Sequence, residues 1–170
     1  MNTTAITIGI AGVIFLMLSM SKSKKLDKVR PSFSWFRITE SIYPIIYRIR
    51  IQALRHNVPS YILLRIALIE SAFNPNAVGQ TGDYGLFQIT QPVVDDYNGV
   101  HGTNHRAIDL IGNETLSAEI AAWHMRRLLN RYENDVSKAV RAYNVGSRIN
   151  SPAALAYWTK FVAAATIFPE

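Results

Sequence analysis

The chain has 170 residues, no cysteine and a formal charge of +6, which fits one domain plus an appendage and excludes disulfides, thiol nucleophiles and cysteine-ligated zinc. A domain of this length buries roughly two-thirds of its unfolded surface, so it needs no covalent or metal staple to fold. Lys22, Lys24, Lys25, Lys28 and Arg30 against Asp27 hold +4 of the charge, beside an apolar stretch, which favours an anionic membrane surface over nucleic acid.

Residues 5–20 carry no charge, and with Thr3, Thr4 and Ser21 they make a run of 19 residues. As a helix this is roughly 28 Å, enough for a bilayer core. A cleaved signal peptide wants a positive start and a small-x-small site. The first four residues have no charged side chain, and Leu18-Ser19-Met20 is a poor cleavage site. The reading is therefore a single transmembrane anchor over 1–21, a basic linker over 22–34 and a domain over 35–170. The positive-inside rule places the domain on the side of the lysines.

Within the domain, residues 35–55 are aromatic and branched, with a helical stripe of Ile42, Ile45, Ile46, Ile49 and Leu54. Pro59 breaks the chain, and Ser60 is positioned to cap the next helix. Residues 61–72 are apolar almost all round, the pattern of a buried central helix. Asn74-Pro75 stops it, and Gly79, Gly82 and Gly85 with Thr81 and Asp83 predict a turn cluster or short β-hairpin. A short helix follows from Val93, then a loop over 98–105. A helix is predicted over 116–132, with Met125, Leu128 and Leu129 inward and an Arg126, Arg127, Arg131 face outward. His124 is expected at the exposed side of that helix. Asp135 caps a helix ending near Gly146, and Ser151-Pro152 starts one reaching Ile167.

Glu70 is the sharpest chemical feature. Burial on an apolar helix and the negative pole of the helix C-terminus both disfavour its charged form and raise its pKa. A carboxyl kept protonated near neutral pH can donate to a glycosidic oxygen. The same residue pattern also suits a half-buried glutamate paired with a cation such as Arg65. Asp83, thirteen residues on, reads by itself as a turn residue between glycines. His101 and His105 are spaced as metal ligands are, but no third ligand accompanies them, and no metal or other cofactor is assigned.

Three motifs, in order, resemble the soluble lytic transglycosylase family of the lysozyme-like superfamily. They are Glu70-Ser71 with Ala-Phe-Asn-Pro-Asn-Ala after it, Gly85-Leu-Phe-Gln-Ile89, and Ala142-Tyr-Asn-Val-Gly146. The family usually has methionine where Phe87 stands. The resemblance implies a mainly α, lysozyme-like α+β fold: a helical bundle around a buried central helix with a short hairpin lobe, here behind an amino-terminal transmembrane helix. It implies cleavage of the bond between N-acetylmuramic acid and N-acetylglucosamine in peptidoglycan by a single acid/base, Glu70, with a 1,6-anhydro product.

Residue by residue, it makes Ser71 and Gln88 substrate-binding. Tyr143 and Asn144 become the pair flanking the acid, the Tyr143 hydroxyl orienting it, and Tyr157 a cleft tyrosine. Asp83 resembles the second carboxylate of animal lysozymes, which leaves hydrolysis as the alternative outcome. A wall-binding scaffold without catalysis is the alternative of another class. The partners expected are peptidoglycan strands, a lipid bilayer through residues 3–21, and proteins of a phage particle or secretion complex. The setting expected is a particle's internal membrane or a bacterial inner membrane.

Overall fold

The computed structural model describes residues 36–170. The expected anchor (1–21) and linker (22–34) lie outside the described residues. Among the described residues, no helix is long and apolar enough to cross a membrane.

Among the described residues, six α-helices build one core: α1 (Tyr43–Arg55), α2 (Ser60–Ser71), α3 (Gln91–His101), α4 (Glu114–Arg131), α5 (Val136–Val145) and α6 (Pro152–Ala163). A two-stranded antiparallel ribbon, β1 (Asp83–Tyr84) and β2 (Ile89–Thr90), sits between α2 and α3. Its register sets Asp83 opposite Thr90 and Tyr84 opposite Ile89.

Helix α2 is the centre, as its apolar composition predicts. Every residue from Ile62 to Leu68 is buried. Arg65 is the one charged side chain in that run. Its Nε donates to the Phe168 carbonyl at 2.8 Å, and its guanidinium lies over the rings of Tyr61 and Phe161, 4.6 and 5.0 Å from their centroids. Helix α1 packs on α4 and α2, and α5 packs between α4 and α6.

The end of α2 is built with strain. Ala72 and Phe73 both adopt left-handed φ, +50° and +63°. Their amides close the helix onto the Leu68 and Ala67 carbonyls, at 3.1 and 3.3 Å. Each such residue costs about 1–2 kcal/mol. The Phe73 side chain offsets this by burial, stacked on Phe36 at 5.5 Å and tilted on Phe168 at 5.6 Å.

Several sequence expectations change in detail. Ser60 is the first residue of α2 and not its cap; Pro59 holds the cap position without a side-chain bond. The expected loop over 98–105 starts later, because α3 runs on to His101 and ends at Gly102, φ +67°. The last helix ends at Ala163, and a 3₁₀ turn over Ala164–Thr166 replaces its expected continuation. Asp135 and Ser151 cap α5 and α6 as predicted, accepting from Lys138 and Ala154 amides.

Candidate active site

A cavity of about 420 Å³ opens between the end of α2, the ribbon, α4 and α5. Glu70, the penultimate residue of α2, lines it. Burial is the main cause that raises the Glu70 pKa, to about 7, and the nearby Asp83 charge adds to it. A hydrogen bond from Tyr157 and the positive charge of Lys160 oppose the rise. The Tyr157 hydroxyl donates to Glu70 Oε1 at 2.5 Å. Near neutral pH the carboxyl therefore divides between acid and base forms. Arg65 is not its partner. That guanidinium instead faces Glu170, 4.0 Å away.

The expectation that Tyr143 orients the acid is corrected. The Tyr143 hydroxyl donates to the Phe87 carbonyl at 3.0 Å, and Tyr157 of α6 is the residue bonded to the carboxyl. The sequence places Tyr143 in the matching motif and Tyr157 outside it. Only packing of α6 on α5 and α2 decides which hydroxyl reaches Glu70. Tyr143 and Asn144 do line the cavity, at the end of α5.

Ser71 turns away from the cavity. Its hydroxyl bonds the Leu86 carbonyl at 2.8 Å and the Ala67 carbonyl at 3.2 Å. It ties the loop before β2 to the helix that carries Glu70. The loop is thus held by two side chains, Ser71 on the Leu86 carbonyl and Tyr143 on that of Phe87. Gln88 lines the cavity. Its backbone is left-handed, φ +46°, and its side-chain Nε2 donates to the Gly85 and Ala77 carbonyls at 2.9 and 3.3 Å.

Gly85 explains why that motif opens on glycine. Its φ is +73°, and a Cβ there would stand 2.8 Å from the Leu110 carbonyl oxygen and 3.2 Å from Ser117 Oγ. Both the backbone angle and the close approach require glycine.

Asp83 lines the same cavity as Glu70. One of its oxygens, Oδ1, accepts from the Thr81 hydroxyl at 2.6 Å and the Thr81 amide at 3.2 Å. Gly79 lies against the carboxyl so closely that a Cβ would overlap it. Asp83 is therefore a turn-closing residue whose charge also reaches Glu70.

His124 was expected at an exposed face and is not there. It lines the cavity half-buried, 5.6 Å from the Tyr143 ring. Leu128, four residues on, is an inward residue, so helical spacing alone puts His124 on the same face. His101 instead stacks on Tyr97 at 4.1 Å, away from the cavity. Among the described residues, no group of three His, Asp or Glu side chains is placed to hold a metal ion.

A central helix carrying an acid, with a Gly-Leu-Phe-Gln-Ile loop across from it, defines a lysozyme-like site, and residues 48–160 match the family described as the transglycosylase SLT domain. The chain belongs to that family. It is also similar to a peptidoglycan transglycosylase, gp16, of Escherichia phage T7, at 35% identity over 103 residues, 59% of this chain. The matched part makes up 8% of that relative's length.

Proposed function

We propose that the domain cleaves the β-1,4 bond between N-acetylmuramic acid and N-acetylglucosamine in peptidoglycan, with Glu70 as the only acid/base. The protonated carboxyl gives its proton to the O4 leaving oxygen of N-acetylglucosamine as the bond to muramic C1 breaks. The resulting carboxylate then takes the proton of the muramic C6 hydroxyl, and O6 closes on C1. The product ends in 1,6-anhydromuramic acid, and water is not consumed. The substrate's own N-acetyl group is positioned to stabilise the cationic centre.

The observation that carries this reading is the state of Glu70: half-buried at a helix end, open to a cavity and poised near pH 7. A group with its pKa near the operating pH serves both as acid and as base. Tyr157 holds the carboxyl in place, while Gln88 and Asn144 supply polar contacts for the substrate's acyl and peptide-linked groups. Ser71 acts through the loop it ties.

Hydrolysis by a Glu70/Asp83 pair is the second reading, favoured by their shared cavity. The bonds from Thr81 to Asp83 support the turn role instead. The similarity to a phage peptidoglycan transglycosylase supports action on the cell wall; the proposal extends to local wall opening during phage genome delivery, with the uncharged run over 3–21 holding the domain at a bilayer.

The test is product chemistry. Purified peptidoglycan is digested with the full chain and the muropeptides are weighed. Ends lighter by one water are expected, and reducing ends refute the transglycosylase reading. Glu70→Gln, with its fold checked by circular dichroism, is expected to release no muropeptide. Retained wall clearing by Glu70→Gln would refute Glu70 as the acid, and wall binding without any muropeptide release by the unsubstituted chain would leave the non-catalytic scaffold.

A further inference from the structure

The cavity has a second face that the acid chemistry does not use. His124, Leu128 and Arg131 lie at spacings of four and three on α4 and all line it. Val93 of α3 and Ala142 of α5 line it as well. His124 makes no hydrogen bond to the protein among the described residues. Its Nδ1 is completely buried and unpartnered. A lone pair in that position is tolerated better than an orphaned N–H, so the ring proton belongs on Nε2, the nitrogen left open to the cavity.

Burial, more than the charges nearby, keeps the ring neutral. Arg127 on α4 opposes a positive charge there, while Asp96 on α3 favours one. Arg127 is itself engaged, bonded to Asp96 at 3.0 Å and placed over Trp123 at 4.7 Å. Tyr143, from α5, presents its ring and not its hydroxyl, which is spent on Phe87. Burial dominates and pushes the imidazole down to about 4.

A neutral N–H beside aliphatic side chains matches a planar amide carrying a methyl group. We propose that His124 is a specificity residue that binds a sugar's 2-acetamido group, Nε2–H donating to its carbonyl oxygen while its methyl packs on Leu128 and Val93. A free amine at the same carbon is a cation and a donor, and it gains nothing from Nε2–H, which is itself a donor. His124 therefore favours N-acetylated over de-N-acetylated glycan, whatever the Glu70 and Asp83 carboxylates of the same cavity contribute to either. This rests on the glycan-cleaving reading above, but it is tested by binding and not by cleavage.

The probes are tetra-N-acetylchitotetraose and its fully de-N-acetylated counterpart, titrated into the full chain carrying Glu70→Gln so that no turnover intrudes. The added substitutions are His124→Phe, which keeps the ring and the packing, and His124→Gln, which restores an N–H donor. We expect the acetylated tetramer to bind about tenfold more weakly to the His124→Phe chain, the size of one lost hydrogen bond to a buried carbonyl. Binding of the de-N-acetylated tetramer should stay within twofold, and His124→Gln should recover most of the loss. In the chain with His124 intact, the acetylated tetramer should shift the His124 ¹⁵Nε2 resonance.

The proposal is overturned if His124→Phe binds the acetylated tetramer as well as the parent does, or loses both tetramers equally. An unmoved ¹⁵N resonance on saturation, or no binding of the acetylated tetramer, also overturns it. If the binding pattern holds while the unsubstituted full chain releases no anhydro ends from peptidoglycan, the cleavage reading fails and this one stands.

Discussion

Replacing Tyr157 by phenylalanine isolates what positions the acid. The Tyr157 hydroxyl gives Glu70 Oε1 a 2.5 Å bond, and it favours the charged carboxylate. Hydrogen bonds to charged groups contribute about 1.5–3 kcal/mol, and one pKa unit is about 1.4 kcal/mol. Removing the bond should therefore raise the Glu70 pKa from about 7 by roughly one to two units. The proton-donating form then persists to higher pH. The alkaline limb of the kcat/KM profile should move up by the same amount, measured by muropeptide release from pH 5 to 10. The maximal rate should fall, because the carboxylate is less well aimed and its second task as base is less well supported. Tyr143→Phe is the control. Its hydroxyl bonds the Phe87 carbonyl, so the limb should move by only a few tenths. An alkaline limb that stays put or moves down in Tyr157→Phe refutes the assignment, as does a larger shift in Tyr143→Phe.

Glu70→Gln should be more stable than the parent at alkaline pH. A carboxyl with its folded pKa raised from 4.5 to about 7 contributes stability below pH 4.5 and loses it as pH rises to about 7, some 3 kcal/mol in all. Urea titrations at pH 4 and pH 8 should show that slope in the parent and a much flatter one in Glu70→Gln. Asp83→Ala should leave anhydro ends as the product, and the loss of Asp83's charge should move the alkaline limb down, opposite to Tyr157→Phe. A switch of product, or loss of all cleavage in a folded protein, favours the two-carboxylate mechanism. Gly85→Ala should lower stability by about 2–4 kcal/mol, from left-handed strain and from contact with the Leu110 carbonyl. An unchanged urea midpoint would mean that the loop is not held as described.

The all-apolar run ending in Glu70 was legible because burial of a helix on every side leaves no polar face to hide. Asp135 and Ser151 were legible as caps because a cap is a local bond, made within three residues. The identity of the hydroxyl that reaches Glu70 was not legible. Tyr143 and Tyr157 are both aromatic residues on late helices, and 87 residues of chain separate Tyr157 from its partner. Ser71 illustrates the same limit: its bond to Leu86 depends on where a loop fifteen residues away comes to rest. His124 was misplaced for another reason. The arginines beside it suggested a solvated face, although its spacing from Leu128 pointed inward. The turn role of Asp83 was legible in the glycines flanking it, but not the Thr81 bonds that make its carboxyl a fixed charge near Glu70.

The Phe87 side chain is fully buried, its carbonyl oxygen is gripped by Tyr143, and the residue is not among those lining the cavity. Departure from the methionine usual at this point is therefore a matter of volume in the hydrophobic interior, and the cleft wall is indifferent to it. The loop can drift in sequence at its buried position while its exposed groups keep their aim. Its tolerance should follow size and shape: leucine or methionine at 87 should alter melting temperature before turnover. A homologue's unusual residue there is information about its core, and carries none about which glycan it cuts.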